Sequence, residues 1–426
     1  MTDVEADPAD VPPSVSAAFD SMWATLAPIG RAPSTGGYRR FAWTTADAEL
    51  REWFAAEATA RGLDVQCDRN GNVWAWWLPP GQHGEPADAF VTGSHLDSVP
   101  DGGAFDGPLG VVSALCAVDL LRTTQVAPTK PIAVVAFADE EGARFGVACV
   151  GSRLATGVLD PDRARALTDA DGVSLAEAMT QAGADASKLG RDDEVLRRIG
   201  TFVELHIEQG RALADVEAAL GVATGIWPHG RWHFSFTGKP DHAGTTRLAD
   251  RHDPVLTFAS ATLAARQHAE KAASLATFGR VLVAPNATNG IAARVDAWLD
   301  ARAPRQAVLD ELVATIAAAA TRQSALDRIG FAVACESMTP PVTFDEATRS
   351  HLRAALPDDL VPELPTGAGH DAGVLAAERP TGMIFVRNPS GVSHAPDEFA
   401  ERADCLRGVA ALANVMASWT GEVSSR

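Results

Sequence analysis

Cysteine is scarce in this chain of 426 residues, and its five copies are widely scattered. The number is odd and no two cysteines stand in a C-x-x-C spacing, which argues against a disulfide framework and against a thiolate zinc site. Long apolar runs are also missing, so we expect no membrane partner. The N-terminal residues are acidic and contain no apolar core of a signal peptide, from which we expect a cytoplasmic protein.

Positive charge is the other deficit of the sequence. It has 36 Lys and Arg residues against 55 Asp and Glu residues, which gives a formal net charge of -19. Nucleic-acid-binding proteins favour a basic face, so we expect no nucleic acid as partner. With 46% hydrophobic and 21% charged residues the composition is that of a soluble globular enzyme, and the length predicts two domains.

Apolar runs and helical spacing predict how the chain is organised. Strands predicted at 89–92 and 131–138 flank a helix predicted at 109–121, which is the strand-helix-strand unit of a parallel or mixed sheet. The segment 160–198 has helical periodicity and is predicted to form surface helices. From residue 225 onward the order becomes strand, helix, strand, strand, helix, strand, as in the split βαβ arrangement. We therefore predict an α/β fold, with a mixed-sheet domain at 1–222 and 338–426 and an inserted ferredoxin-like α+β domain at 223–337.

Histidine and acidic residues follow four apolar runs of the first predicted domain. The four groups are His95 with Asp97 and Asp106, the acids at 139–141, His206 within Glu-Leu-His-Ile-Glu-Gln, and His394. Open α/β sheets place ligands at the carboxyl ends of their strands. Imidazole and carboxylate together suit zinc, with manganese or cobalt as alternatives, and a shared carboxylate can bridge two ions. One such group alone is more often a solvated loop, but four of them predict a dinuclear hydrolase.

Two adjacent glutamates, Glu140 and Glu141, require separate roles. Neighbouring residues do not easily point at the same ion, so one of the pair can bind metal while the other acts as the general base for the attacking water.

Several longer motifs contain these residues, and together they span nearly the whole chain. They resemble the motifs of the di-zinc aminoacylase/carboxypeptidase superfamily, in the branch of allantoate amidohydrolase, N-carbamoyl-L-amino-acid hydrolase and β-ureidopropionase. The matching motifs are Gly-Ser-His95-Leu-Asp97-Ser, Gly-Gly-Ala-Phe-Asp106-Gly, Glu140-Glu141-Gly-Ala-Arg144-Phe, Glu204-Leu-His206-Ile-Glu-Gln209-Gly, His242-Ala-Gly-Thr-Thr, Gly367-Ala-Gly-His370-Asp371-Ala and Gly391-Val-Ser-His394.

The resemblance implies a site for two divalent metal ions, zinc first and manganese or cobalt as alternatives. It implies that His95 and His206 bind one ion, that Glu141 and His394 bind the other, and that Asp106 bridges them. It makes Glu140 the general base and Asp97 the carboxylate that orients His95, a role that a ligating histidine normally requires of a partner.

The inserted domain supplies the residues that the resemblance assigns to the substrate. His242 is implied to stabilise the oxyanion, acting across a homodimer that pairs through this domain, while Asn289 and Arg302 are implied to hold the substrate carboxylate. Gln209 of the first domain is implied to contact the substrate near its amide. Taken alone, Arg302 would more often be a solvated charge at a strand end, His242 a turn residue, and Asn289-Gly290 a hairpin turn.

Three further histidines receive no place in the site. The resemblance makes His370-Asp371 a structural element near the substrate pocket rather than a ligand pair, and His229 and His233 have no assigned role. Members of the branch often carry Arg-Arg or Arg-Tyr near His229, so this region is expected to influence the choice of substrate.

The implied activity is metal-dependent hydrolysis of the ureido or carbamoyl C–N bond of small carboxylate substrates such as allantoate or N-carbamoyl-L-amino acids. The implied fold is a di-metal hydrolase domain carrying an inserted lid and dimerisation domain. Alternatives are a deacylase or deformylase of other N-acyl amino acids, a small-peptide metallopeptidase, or a metal-stabilised binding protein without catalysis. The last would be favoured by a missing ligand or a replaced Glu140, and the sequence has neither.

Overall fold

The computed structural model describes residues 11–79, 81, 86–356 and 361–420. These residues form two compact units. Unit 1 comprises the described residues up to 224 together with those of 343–364 and those from 369 onward, and unit 2 comprises 225–342 and 365–368.

Helices and strands alternate through most of the chain. The helices are α1 (Pro13–Leu26), α2 (Thr45–Ala60), α3 (Pro108–Thr123), α4 (Val150–Ala155), α5 (Pro161–Arg165), α6 (Leu175–Gln181), α7 (Asp193–Arg198), α8 (Ala212–Asp215), α9 (Pro254–Lys271), α10 (Gln306–Asp327), α11 (Glu346–Ala355), α12 (Asp371–Leu375) and α13 (Arg402–Thr420). The strands are β1 (Asp64–Cys67), β2 (Val73–Trp77), β3 (Ala89–His95), β4 (Ile132–Phe137), β5 (Ile199–Ile207), β6 (Leu220–Ile226), β7 (His229–Thr237), β8 (Asp241–His242), β9 (Leu275–Ala284), β10 (Gly290–Ile291), β11 (Arg294–Arg302), β12 (Gly330–Thr339), β13 (Val342–Thr343), β14 (Glu363–Thr366) and β15 (Thr381–Val386).

The large sheet is mixed, which confirms the predicted fold class. Its strand order is β1-β2-β4-β3-β5-β15-β6-β13, with β14 paired to β6. The four central strands β4, β3, β5 and β15 run parallel to one another, while β2 joins β4 and β6 joins β15 in antiparallel fashion. Both faces of the parallel strands are buried, so β3, β4 and β15 consist of uninterrupted buried residues.

Helix α3 begins directly after the Asp106-Gly107 turn and crosses the sheet between β3 and β4. Nearly all of its residues are buried, because it packs on the sheet and also against α13. The predicted strand-helix-strand unit is therefore present. The segment 160–198 contains the short helices α5, α6 and α7, but its apolar residues do not all lie on the surface. Leu154, Leu175 and Met179 belong to a separate buried cluster in this region.

Unit 2 contains a four-stranded antiparallel sheet with the order β12-β7-β11-β9. Alternate residues of β7 and β11 are buried on one face, where Phe234, Val295 and Leu299 form a core with apolar residues of α9 and α10. Apart from the aromatic Trp298, the intervening residues of β7 and β11 are charged or polar, and they stay at least partly exposed, as period-2 alternation requires. Strands β8 and β10 form a separate two-stranded pair.

No helix among the described residues combines the length and apolarity needed to cross a membrane.

Candidate metal centre

The loops that carry the predicted ligands leave the sheet at one edge. His95 is the last residue of β3, Glu140 and Glu141 follow β4, His206 lies at the end of β5, and His394 follows β15. These are the four neighbouring parallel strands, so their carboxyl ends share an edge. The sheet thus brings together side chains that lie far apart in the sequence.

Asp106 is at the centre of this arrangement. Its Oδ1 lies 3.5 Å from Nε2 of His95 and 3.2 Å from Nε2 of His206. Its Oδ2 lies 3.4 Å from Nε2 of His394, which in turn lies 3.7 Å from Oε2 of Glu141. Two potential ligand groups result, His95-Asp106-His206 and Asp106-Glu141-His394. Each oxygen of the Asp106 carboxylate faces a different group, as expected of a bridging ligand.

Backbone carbonyls hold the histidines of the first group with Nε2 toward Asp106. Nδ1 of His95 lies 3.1 Å from the carbonyl oxygen of Asp97, and Nδ1 of His206 lies 2.8 Å from that of Ile207. Gly107 lies against the ring of His95. A Cβ at this glycine, whose φ is +85°, would come within 2.5 Å of ring atoms Cε1 and Nδ1.

Asp97 connects two of the loops. Its carboxylate lies 3.5 Å from Nδ1 of His95 and accepts hydrogen bonds from the backbone N–H groups of Glu140 (3.2 Å) and Glu141 (3.0 Å). The orientation of His95 and the position of the two glutamates therefore depend on the same buried carboxylate.

Glu398 is a site component that the sequence did not reveal. Its Oε1 accepts hydrogen bonds from the backbone N–H groups of Phe105 and Asp106, both at 2.9 Å. Nothing in the local pattern around Glu398 marks this contact, because its partners lie almost 300 residues earlier in the chain. The buried Glu398 fixes the loop that presents Asp106.

Glu140 is held by a second unpredicted residue, Cys149. The thiol donates to Oε1 of Glu140 at 3.1 Å, and both side chains are buried. Oε2 of Glu140 lies 3.8 Å from Nε2 of His95. Burial raises the pKa of Glu140 well above its ordinary value, and the nearby carboxylates of Asp371 and Glu141 raise it further. The thiol of Cys149 keeps its proton at neutral pH, because burial and the neighbouring Glu140 carboxylate raise its pKa.

In the second ligand group, burial and neighbouring charges shift the pKa values of both Glu141 and His394. Burial, together with Asp106, raises the pKa of Glu141 to about 7, and the hydrogen bond to Asp106 raises the pKa of His394 to about 9. A protein cavity that holds several acids this close needs compensating positive charge.

A third cluster of potential ligands, Glu204-His206-His370, shares His206 with the first, and Nε2 of His370 is buried without a hydrogen-bond partner among the described residues. Glu204 accepts hydrogen bonds from the Ser94 hydroxyl (2.7 Å) and from the backbone N–H of Ala372 (3.0 Å). The ring of His370 packs edge-on against His206, with 4.5 Å between centroids. Burial lowers the pKa of His370 well below its ordinary value. The placement of His370 outside the ligand set, which the resemblance implies, stays a prediction.

Gln209 lies beside Asp106. Its Nε2 donates to Oδ2 of Asp106 at 2.7 Å and lies 3.2 Å from Nε2 of His394. Its Oε1 is buried without a hydrogen-bond partner among the described residues.

The remaining predicted residues all belong to unit 2. His242 and Asn289 are brought together by the β8–β10 pair, in which His242 lies opposite Gly290 and the Asn289 carbonyl accepts from Ala243 at 2.9 Å. Nδ1 of the exposed His242 accepts from the N–H of Gly244 at 3.0 Å, which leaves Nε2 to carry the proton of a neutral ring. Arg302 ends β11.

The unassigned histidines of unit 2 have local partners. His233 lies 2.8 Å from Asp296 through Nε2 and stacks on Trp298 at 4.8 Å between centroids. Nδ1 of His229 lies 3.1 Å from the carbonyl oxygen of Trp227, and His229 is paired with Arg302 across the ladder of β7 and β11.

Comparison with known proteins agrees with the motif resemblance. The chain is 36% identical over 392 residues to N-carbamoyl-L-amino acid amidohydrolase of Geobacillus stearothermophilus, covering 91% of this chain and 94% of the relative. It is 32% identical over 409 residues to allantoate amidohydrolase of Escherichia coli K12, with coverages of 91% and 94%. A crystal structure of an amidase of the hydantoinase/carbamoylase family from Burkholderia vietnamiensis superposes with a TM-score of 0.85 at 31% identity, covering 97% of this chain and 99% of that chain.

A family model extends over most of the chain. The description "Peptidase family M20/M25/M40" matches residues 91–418, a range that includes every predicted metal ligand. The chain therefore belongs to peptidase family M20/M25/M40, in the branch whose named relatives are amidohydrolases of N-carbamoyl amino acids and allantoate.

Proposed function

We propose that this protein is a metal-dependent amidohydrolase that cleaves the ureido or carbamoyl C–N bond of small carboxylate substrates, such as allantoate or N-carbamoyl-L-amino acids. The observation that carries the proposal is the Asp106 carboxylate between two histidine-containing ligand groups, with Glu140 beside one of them. Relatives named for these two substrates match over about nine-tenths of the chain, which supports the same bond as target.

The residues of the site fit a pair of divalent cations. Among the described residues, the buried carboxylates of Asp106, Glu140 and Glu141 form ion pairs only with histidines, and the buried Nε2 of His206 lies 3.2 Å from Asp106 without hydrogen-bond geometry. Bound there, two divalent cations would supply Lewis acidity for the scissile carbonyl and would acidify water. We propose zinc, with manganese or cobalt as alternatives, because imidazole and carboxylate suit these ions.

Glu140 is the proposed carrier of the proton. The Cys149 thiol occupies Oε1, so Oε2 accepts the proton of the attacking water and later delivers it to the leaving nitrogen. The products are an amine and a carbamate, which decays to ammonia and carbon dioxide. Asp97 keeps this carboxylate in register with His95 through its hydrogen bonds to the backbone of Glu140 and Glu141.

Four further residues are proposed to bind the substrate. Arg302 and Asn289 hold its carboxylate, for which the planar guanidinium fork is suited. His242 donates to the oxyanion, a contribution of about 3–4 kcal/mol in comparable sites. Oε1 of Gln209 accepts the N–H of the substrate amide. The contacts of Gln209 with Asp106 and His394 involve only its Nε2, so Oε1 is available.

A substrate panel tests the activity. Ammonia release is measured with allantoate and with N-carbamoyl-L- and D-amino acids, beside N-formyl and N-acetyl amino acids and dipeptides, each with added zinc, manganese or cobalt. We expect turnover of the ureido acids. Preferential cleavage of the acyl amino acids or of the dipeptides would favour a deacylase or a peptidase instead.

Glu140→Gln tests the assignment of the proton carrier. We expect the variant to retain the metal content of the unmodified protein and to lose nearly all turnover, because the amide cannot accept the proton. Glu194→Gln, a change of the same chemistry at a mostly exposed glutamate, is the matched control and should leave activity unchanged. Near-normal turnover of Glu140→Gln would refute the assignment.

We also propose that the protein forms a homodimer through unit 2. Large apolar side chains are exposed on this unit, among them Leu256, Leu263 and Leu282, and the edge strands β9 and β12 are mostly exposed. Exposed edge strands are a common place for pairing with another chain. Sedimentation velocity of the protein and of Leu263→Glu measures this, and a monomeric unmodified protein would refute it.

The dimer proposal gives His242 a role in the partner's site. Inactive Glu140→Gln and His242→Ala variants are mixed and allowed to exchange subunits, with exchange followed by mass spectrometry. Recovery of activity is expected, because one of the two sites of a mixed dimer then combines an intact Glu140 with an intact His242. No recovery after demonstrated exchange would show that His242 acts within its own subunit.

A cytoplasmic location of the protein stays a prediction.

A further inference from the structure

Three hydrogen bonds fix the guanidinium of Arg302. Nε donates to Oδ1 of Asp300 at 2.8 Å, Nη2 donates to Oδ2 of Asp300 at 3.3 Å, and Nη1 donates to the carbonyl oxygen of Gly367 at 2.6 Å. Asp300 lies two residues earlier on β11, so its side chain and that of Arg302 are on the same face of the strand. All three residues belong to unit 2.

The three hydrogen bonds use three of the N–H donors of Arg302 and leave one edge of its guanidinium available. A guanidinium has five N–H groups in a fixed plane. Asp300 engages the side of the fork, which consists of Nε–H and one N–H of Nη2. Gly367 takes one N–H of Nη1, and a Cβ built at Gly367 would lie 3.9 Å from Cδ of Arg302, which places this residue on the Cδ side of the group. One N–H of Nη1 and one of Nη2 therefore remain, side by side at the end of the fork.

The remaining edge matches a carboxylate. Two parallel N–H groups on Nη1 and Nη2 can donate to the two oxygens of one carboxylate, the bidentate geometry for which Arg is favoured. The Arg302 side chain is 29% exposed, so this edge can be reached by a ligand. Arg231 adds a second cation, with Nε 3.7 Å from Oδ2 of Asp300. Two guanidinium groups and one carboxylate leave a net charge of +1, which favours an anion over a neutral group.

We propose that Asp300, with the Gly367 carbonyl, is a positioning residue that presents only the end of the Arg302 fork and thereby selects substrates with a free carboxylate. The inference rests on the proposed function, in which Arg302 binds the substrate carboxylate. It adds that a carboxamide or ester in place of the carboxylate makes a poorer substrate, because each offers one strong acceptor oxygen where Arg302 presents two donors. Asp300 itself does not touch the substrate.

Steady-state kinetics of Asp300→Asn test the inference. We expect KM for an N-carbamoyl-L-amino acid to rise about tenfold, equivalent to about 1.4 kcal/mol, with kcat within about twofold of the unmodified enzyme. The carboxamide of the same substrate is the internal comparison, and its kcat/KM should not change, which also shows that the variant is folded. Asp296→Asn is the matched control, because Asp296 lies on the same face of β11 and pairs with Arg294 and His233 instead; its KM should be that of the unmodified enzyme.

Arg302→Lys separates the positioning role of Asp300 from the carboxylate site itself. A lysine keeps the charge and loses the fork, so KM for the carboxylate substrate should rise by more than in Asp300→Asn. If Arg302→Lys raises KM and Asp300→Asn does not, the positioning role of Asp300 is overturned while the proposed carboxylate site stands. If neither variant changes KM, the carboxylate site itself is wrong. A loss of kcat equal for the carboxylate and the carboxamide would show a general structural role of Asp300 and would also overturn the inference.

Discussion

Gly107→Ala offers a direct test of how the backbone positions the first ligand group. The new Cβ would lie 2.5 Å from two atoms of the His95 ring and 2.7 Å from a third. Unbonded carbon atoms prefer about 3.5–4.0 Å, so the ring has to retreat by about 1 Å. The ring is buried, and its Nδ1 would lose the 3.1 Å contact with the carbonyl oxygen of Asp97.

The size of the effect follows from that displacement. Metal-ligand distances tolerate only about 0.2 Å, so a retreat of this size removes His95 from a bound ion. Loss of a supporting contact alone typically costs about 10–100-fold in metal affinity, and we expect the upper end of that range for Gly107→Ala. Turnover at limiting metal should fall by about 100-fold, since misplacement by about 1 Å has that effect in other active sites.

Backbone strain has to be separated from the clash with His95. An alanine at positive φ costs about 1–2 kcal/mol in folding wherever it is placed. Gly183→Ala is the matched control, because Gly183 has a φ of +83° and its Cβ would meet nothing within 4 Å. Both variants should lose unfolding free energy, and only Gly107→Ala should lose metal affinity.

The assay combines metal titration of the chelator-treated protein by calorimetry with urea unfolding followed by circular dichroism. If Gly107→Ala binds metal with the affinity of Gly183→Ala, the ring accommodates the methyl group and the argument from the His95 contact is refuted.

Three further perturbations follow from contacts at the site and in unit 2. Cys149→Ala should lower kcat about tenfold with KM unchanged, because Glu140 loses the hydrogen bond that the thiol donates. Cys149→Ser should restore most of the activity, and an equal kcat in the two variants would contradict this role of the hydrogen bond. Glu398→Ala leaves the buried N–H of Asp106 and the partly buried N–H of Phe105 without an acceptor and should cost about 1–3 kcal/mol in urea unfolding. Glu398→Gln should be close to the unmodified protein. The hydrogen bond from Arg294 lowers the pKa of Asp296 to about 2, below its unfolded value. Its contribution to stability is therefore present above about pH 4 and is lost as the pH falls toward 2, so the destabilisation by Asp296→Asn should be smaller at pH 3 than at pH 5. A difference independent of pH would rule out this ion pair as the cause.

The parts of the fold that sequence could predict have a strong local signal. Buried parallel strands contain continuous apolar runs, so the sequence predicts β3 and β4. The histidine and acidic residues near the ends of these strands are the types that bind metal, so they could be predicted as ligands. The buried cluster around Leu175 and Met179 was missed, because short helices that bury one narrow face have the composition of surface helices.

Contacts between distant residues account for what the sequence left out of the site. Glu398 binds backbone N–H groups at 105 and 106, and no periodicity links those positions. Cys149 is closer to Glu140 in the chain, but its contact depends on a left-handed conformation at a non-glycine residue, which local propensity does not predict. The sequence around Arg302 likewise gives no sign that Asp300 and the Gly367 carbonyl occupy two different edges of its guanidinium.

The order of the ligands along the chain has a consequence for biosynthesis. His95, Asp106 and His206 all precede unit 2, whereas His394 follows it. On the ribosome, every side chain of the first ligand group is therefore made before unit 2, and the second group is incomplete until unit 2 has emerged. While the intervening unit is synthesised, both histidine partners of Asp106 Oδ1 are already present, whereas Oδ2 has its donor Gln209 but still lacks His394.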